Sequence, residues 1–209
     1  MLREIAGPMG RLEALLDDPA TRPTAVRAAV VLAHPHPQHG GTMHTKVVYQ
    51  TAKALTRIGC VVLRFNFRGV GTSAGRFDNG TGEADDFRAG LDFLYDRHPD
   101  ARLWTAGFSF GAWIALTTGA ADPRVSTLIG IAPPLARYDF EPVRVSTGAK
   151  FFIQGERDEI CPLKDMQQFY ARCEEPKELV VIDGADHLFD GQTAEVSLAI
   201  EDLLGDWSG

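Results

Sequence analysis

The chain has 209 residues, 44% of them hydrophobic and 23% charged, and a formal net charge of −7. These values fit one globular domain over 1–209 and exclude the disordered and membrane-spanning classes. The excess of acid argues against nucleic acid or an anionic membrane as partner, since both need a basic face. Met1 to Gly10 lacks the basic end and apolar run of a signal peptide, and no apolar stretch nears the roughly 18 residues that cross a bilayer. Three cysteines, Cys60, Cys161 and Cys173, form an odd set without an export signal. They read as reduced thiols, which places the chain in a cytoplasm.

In chain order, Arg11 to Leu16 alternates imperfectly, so the first 25 residues are expected to hold one or two antiparallel edge strands. Val26 to Ala33 is a nearly continuous apolar run and reads as a strand. Met43 to Ile58 carries Val47, Val48, Ala52, Leu55 and Ile58 at helical spacing, with Gly59 at its C-cap. Cys60 to Phe65 is a second β-rich run. A glycine-dense turn, Gly69 to Gly82, leads into a helix from about Glu83, which shows Phe87, Leu91 and Leu94 on one face and ends before Pro99. Arg102 to Ala106 is then a strand, Phe110 to Thr118 a helix, and Val125 to Ile131 a strand stopped by Pro133 and Pro134. Lys150 to Gln154, Leu163 to Arg172, Glu178 to Ile182 and Thr193 to Leu204 continue as strand, helix, strand, helix. Strands alternating with helices of about ten residues predict an α/β fold, a mostly parallel central sheet with helices on both faces.

Gly107-Phe108-Ser109-Phe110-Gly111 matches G-x-S-x-G where a strand meets a helix. A serine there sits on a sharp, strained turn, with glycines where a Cβ would clash. The hydroxyl needs a base, and the base an orienting acid. Of six histidines, only His187 follows the last predicted strand, at the sheet edge that carries the serine. His98, before Pro99, reads as a surface residue at a helix end. Asp158 lies in the loop leaving the strand Phe151 to Gln154. Glu156 and Glu159 are rivals, as are Asp183 and Asp186 beside His187. The chain order Ser…Asp…His favours Asp158.

Ser109 in GFSFG, Asp158 in GERDEICP and His187 in GADHLF resemble the nucleophile, acid and base motifs of the α/β-hydrolase superfamily. Arg64 to Gly75 (RFNFRGVGTSAG) resembles that superfamily's loop after its fourth strand. Ala33 to Val48 (AHPHPQHGGTMHTKVV) resembles a small subgroup of lidless bacterial esterase-like hydrolases, related to the dienelactone hydrolases. The latter carry cysteine where this chain has Ser109. The resemblance spans nearly the whole chain and implies the α/β-hydrolase fold.

That fold draws one oxyanion N–H from the residue after the nucleophile, here Phe110, and another from the loop after its third strand. Proline has no N–H, so His36 is the possible donor between Pro35 and Pro37. The resemblance places the donor at the same position, although related enzymes carry His-Gly there and this chain has His-Pro. Gly40 and Gly41 would let substrate approach the backbone. A metal at His34, His36 and His39 is disfavoured, because there is no HExxH and no cysteine or carboxylate nearby. The side chains of His34 and His39 read as loop pins. Arg68 and Ser73 read as loop-holding residues, Trp113 and Phe87 as helix core faces, and Asp85 and Asp86 as a solvated first turn.

These residues predict a serine hydrolase that cleaves carboxylic esters, with thioesters as possible substrates, through an acyl-enzyme and without cofactor or metal. An amide or peptide hydrolase with the same residues is one alternative, and a non-catalytic binding protein of the same fold is another. Ala132 to Ala149 is too short for a helical cap, so no cap domain is expected. The site should be open and shallow, with little apolar wall and a preference for short acyl groups. The substrate would be a small-molecule acyl ester.

Overall fold

The computed structural model describes residues 3–19 and 26–207. The first sequence segment forms two strands, β1 (Glu4–Gly7) and β2 (Gly10–Asp17). They pair antiparallel, and β2 also pairs antiparallel with β4 (Val61–Phe65). Thus β1 is the edge, whereas β2, expected at an edge, lies inside the sheet. Six parallel strands follow in the order β4, β3 (Ala28–Ala33), β5 (Arg102–Phe108), β6 (Val125–Ile131), β7 (Ala149–Gly155) and β8 (Lys177–Ile182). Residues 1, 2 and 20–25 of the 25-residue segment read as holding edge strands lie outside the described residues.

The period-two alternation of β3 divides the core. Val30 and Leu32 pack toward one face with helices α1 (Lys46–Arg57) and α6 (Thr193–Leu204), through Val48, Leu55, Val196 and Ile200. Ala29, Val31 and Ala33 face the other side, where Phe87 and Leu91 of α2 (Thr81–Arg97) and Ile114 of α3 (Phe110–Ala120) cover them. Further along that face, Phe152 packs against Met166 and Phe169 of α5 (Leu163–Arg172). A sheet covered on both sides needs such apolar strands, and β3 is buried throughout.

Two helix starts differ from the sequence expectation. Residues 43–45 form a turn before α1, because the Met43 N–H donates to Asn66 Oδ1 (2.8 Å) and the Thr45 N–H to the Thr42 carbonyl (3.0 Å). Helix α2 begins at Thr81, earlier than expected, because the Glu83 carboxylate accepts the N–H groups of Asp78 (3.0 Å) and Gly80 (2.7 Å). Such a carboxylate satisfies N–H groups that the helix leaves without partners.

Asp85 is exposed, as expected, and pairs with Arg88. Asp86 is not solvated. It is fully buried, and its carboxylate accepts the Arg68 backbone N–H (2.9 Å), Nε (3.0 Å) and Nη2 (2.8 Å). Phe87 is core, while Trp113 is half-buried and stacks on Tyr138 with ring centroids 3.9 Å apart. His98 is half-buried at the end of α2, its backbone N–H donating to the Leu94 carbonyl.

The chain runs from β3 to β4 on one side, then returns to β5 on the other side of β3. Such a reversal leaves a crevice beyond the carboxyl ends of the two central strands. The loop after β3 and the turn after β5 meet there. Between β6 and β7 the chain makes only a short connection containing the five-residue helix α4 (Glu141–Val145). Among the described residues, no cap covers the crevice.

Candidate active site

Ser109 stands between β5 and α3 with φ 56° and ψ −122°, a conformation strained for any residue with a side chain. Its N–H donates to the Ile131 carbonyl of β6 (2.9 Å), and its carbonyl accepts the N–H of Ala112 (2.8 Å). The flanking glycines are sterically required. A Cβ at Gly107 would lie 2.2 Å from the Gly111 carbonyl oxygen, and one at Gly111 would lie 2.4 Å from that of His34. The serine turn therefore packs backbone to backbone against the loop after β3.

The Ser109 hydroxyl donates toward Nε2 of His187 (2.9 Å), in the loop after β8. His187 Nδ1 donates to Asp158 Oδ2 (2.8 Å), in the loop after β7. The imidazole is 8% exposed and rests on the Phe108 ring, with centroids 5.3 Å apart. Asp158 is 4% exposed and fully partnered. Its Oδ1 accepts the N–H groups of Ile160 (2.9 Å) and Cys161 (2.7 Å), and its Oδ2 also accepts Gln154 Nε2 (3.0 Å).

Glu156 and Glu159, the sequence rivals, are exposed. The Glu156 carboxylate instead accepts the Gly184 N–H (2.7 Å), which ties the Asp158 loop to the His187 loop. Asp186 Oδ1 accepts the N–H groups of Leu188 and Asp190. Gln154 had escaped notice: its amide bridges Asp158 and the Cys161 carbonyl (2.6 Å). A glutamine at the end of an apolar strand is its one sequence signal. Among the described residues, Asp158, Cys161 and His187 bring potential metal-ligand atoms within 4.8 Å of one another. The Asp158 oxygens are already engaged, and burial followed by the Asp158 charge pushes the Cys161 thiol well above its usual range. This set fits a hydrogen-bonded chain better than a metal.

Phe110 opens α3, so its N–H has no intrahelical acceptor. His36 caps a short 3-10 turn, and its carbonyl accepts the N–H groups of His39 (3.0 Å) and Gly41 (3.1 Å). The rings of His36 and Phe110 lie 4.9 Å apart, and both residues line the cleft with Ser109 and His187. His34 is fully buried. Its Nδ1 donates to the Pro35 carbonyl (2.7 Å), and its Nε2 accepts the Phe67 N–H (3.0 Å). His34 is a loop pin, whereas His39 is exposed and stacks on His36. Arg68 and Ser73 hold the loop after β4, the latter through the Asn66 carbonyl (2.7 Å).

The cleft has a volume of about 340 Å³. Its walls include Phe110, Pro134, Tyr138, Ile160 and Leu188, together with Gly40 and Gly41. The apolar wall is thus larger than expected, because the serine turn itself supplies aromatic rings. Ile160 and Leu188, 50% and 55% exposed, leave the rim open.

Residues 24–151 match the family profile described as "Serine aminopeptidase, S33". The match ends before Asp158 and His187. An uncharacterized protein of Rickettsia prowazekii is 41% identical over 207 residues, covering 95% of this chain and 86% of that protein. The structure of an α/β serine hydrolase homologue from Coxiella burnetii is 38% identical, with a TM-score of 0.91 over 96% of this chain and 95% of the other. A serine hydrolase without lid from Xanthomonas campestris is also 38% identical, with a TM-score of 0.88 over 95% and 90% of the two chains. On this fold, these matches and the capless crevice, the chain belongs to the family of that profile, within the α/β-hydrolase superfamily, and resembles its lidless serine hydrolases.

Proposed function

We propose that the protein is a carboxylic ester hydrolase acting on short-chain acyl esters, and also on thioesters, through an acyl-enzyme. The observation that carries this reading is the unbroken path of hydrogen bonds from Asp158 through His187 to Ser109, opening into a small cleft. Ser109 Oγ attacks the carbonyl carbon while His187 Nε2 takes its proton, and Asp158 holds the imidazole in the required tautomer. The N–H groups of Phe110 and His36 receive the oxyanion. The protonated His187 gives its proton to the leaving alcohol. His187 then deprotonates a water that attacks the acyl carbon, the bond to Ser109 Oγ breaks, and His187 returns the proton to that oxygen as the acid leaves. The chain supplies nucleophile, base and donors, so the reading needs no cofactor or metal.

The cleft volume is near the lower end of small-molecule sites. Each buried methylene contributes roughly 0.8 kcal/mol, and an open rim limits how many can be buried. That supports a preference for acyl groups of about two to six carbons. An amide-hydrolase reading is favoured by the description of the matching family alone. Against it, the connection carrying α4 is too short to form a domain that would select peptides. For location we propose the cytoplasm. Cys60, Cys161 and Cys173 are all free and buried, and among the described residues no helix is long and apolar enough to cross a membrane.

The test is kcat/KM for p-nitrophenyl esters of rising acyl length, beside matched thioesters and anilides, in the wild type and Ser109→Ala. A short-chain optimum is expected, with turnover lowered by about 10⁴ or more in the variant. Near-normal activity of Ser109→Ala would sink the mechanism. A steady rise to twelve carbons would sink the short-chain preference, and faster anilide cleavage would favour the amide reading.

A further inference from the structure

The cleft beside Ser109 carries charge of one sign. None of the 28 acidic residues of this net-negative chain lines it. Asp158 lies behind His187, with both oxygens engaged. Arg137 does line the cleft, from the connection between β6 and β7. It is exposed, and among the described residues its guanidinium has neither a salt bridge nor a hydrogen bond.

Several arginines elsewhere are paired closely with carboxylates, and others that among the described residues are not, such as Arg76, Arg97, Arg102 and Arg157, do not line the cleft. Arg64 has Asp17, Arg68 has Asp86, Arg124 has Asp122 and Asp92, and Arg144 has Glu141. The carboxylate nearest in sequence to Arg137, Asp139, accepts the Glu141 N–H (2.8 Å). The backbone at this position is held, because the Arg137 N–H donates to the Pro134 carbonyl (3.0 Å) and the next residue, Tyr138, stacks on Trp113. The charge reaches the opposite wall. Burial first, then the like charges of His39 and Arg137, hold the His36 imidazole below its usual range.

A cation held at the wall of a cleft that contains no carboxylate is poised for an anion from outside. A guanidinium offers a planar fork of donors that matches a carboxylate or a phosphate in two parallel hydrogen bonds. Resting on the ester-hydrolase reading, we propose that the natural substrate is an ester bearing an anionic oxygen group, and that Arg137 pairs with that group while the scissile carbonyl sits at Ser109. Arg137 would then be the residue that selects charged over neutral esters.

The test compares matched pairs. The 4-nitrophenyl monoester of adipic acid, set against its methyl-capped form, places the charge on the acyl side. Monobutyryl glycerol phosphate, set against monobutyryl glycerol, places it on the alcohol side. The readout is the charged-to-neutral ratio of kcat/KM in the wild type, Arg137→Lys and Arg137→Glu.

For one of the pairs a ratio of about five to ten is expected in the wild type, from a partly enclosed charge-assisted pair. Arg137→Lys should keep part of it, Arg137→Glu should push it below one, and added salt should shrink it. Wild-type ratios at or below one in both pairs, with the neutral esters cleaved, would overturn the assignment of Arg137 and leave the esterase reading intact. If no ester is cleaved, calorimetric titration with monomethyl adipate decides. Binding that Arg137→Glu loses supports an anion site and sinks the esterase reading, and no binding by the wild type overturns both.

Discussion

Burial of His34 makes the fold sensitive to mild acid. The imidazole is enclosed between β3 and the loop after β4, and burial lowers its pKa from 6.5 to about 4, despite the bond to the Pro35 carbonyl. Its Nε2 must stay unprotonated to accept the Phe67 N–H. In the unfolded chain the same imidazole takes a proton as pH falls through 6.5, whereas the folded one resists until about 4. The unfolded state therefore gains protons first, and stability present above pH 6.5 is lost progressively down to about pH 4. At pH 4.5 that loss amounts to about 2 to 3 kcal/mol from this one group. In a domain of this size it should lower Tm by about 5 to 10 °C.

Equilibrium urea unfolding at pH 7.5 and 4.5, in the wild type and His34→Gln, isolates the contribution. The variant has no imidazole here, so its loss of stability between the two pH values should be smaller by that amount. A histidine titration followed by NMR gives the same information without a variant. An imidazole at position 34 that titrates near 6.5, or an unchanged pH dependence in His34→Gln, would refute the reasoning.

Other expectations can be checked with standard assays. Asp86→Ala leaves the buried Arg68 guanidinium without its carboxylate and should destabilise the fold by about 3 to 5 kcal/mol in denaturant titrations. Replacing both Arg68 and Asp86 with apolar residues should recover much of that loss. Asp158→Asn should lower kcat by several orders of magnitude, on the scale of about 10⁴, with little change in KM, since it removes the acceptor that sets the His187 tautomer. Exhaustive dialysis against EDTA should leave esterase rates unchanged, and loss on chelation with recovery on zinc would assign the Asp158, Cys161 and His187 cluster to metal.

The parts legible in the sequence were those written in local order. Short apolar runs between helical segments marked the parallel strands, and the strand-then-helix context of GFSFG located the serine turn. Segments β6, α5 and α6 run over the expected residues because proline or glycine punctuation lies close to their ends. What escaped depends on pairs far apart in the chain. Asp86 looked like part of a solvated turn because nothing in its neighbourhood announces Arg68. Gln154 looked like one more strand residue because its partners, Asp158 and Cys161, are brought to it by the turn that follows. The inside position of β2 follows from its antiparallel pairing with β4, which begins some 44 residues later. The place of Arg137 in the cleft depends on how the connection to β7 folds back beside the serine turn.

The brevity of that connection has a further consequence. Ser109, Asp158, His187 and the loop of His36 are carried by β5, β7, β8 and β3, whereas Pro134, Arg137 and Tyr138 come from one segment between β6 and β7. On the proposed reading, the reacting residues and the charged selector Arg137 therefore come from separable stretches of the chain, although Ile160 and Leu188 also wall the cleft. The paired register of β6 and β7, from Thr127 with Ala149 to Ile131 with Ile153, lies outside the exchangeable stretch. Transplanting a different connection, even one long enough to build a cap, would change which molecules are admitted while the strands beneath it stay aligned. A library confined to that stretch is the shortest path to new specificities on this scaffold.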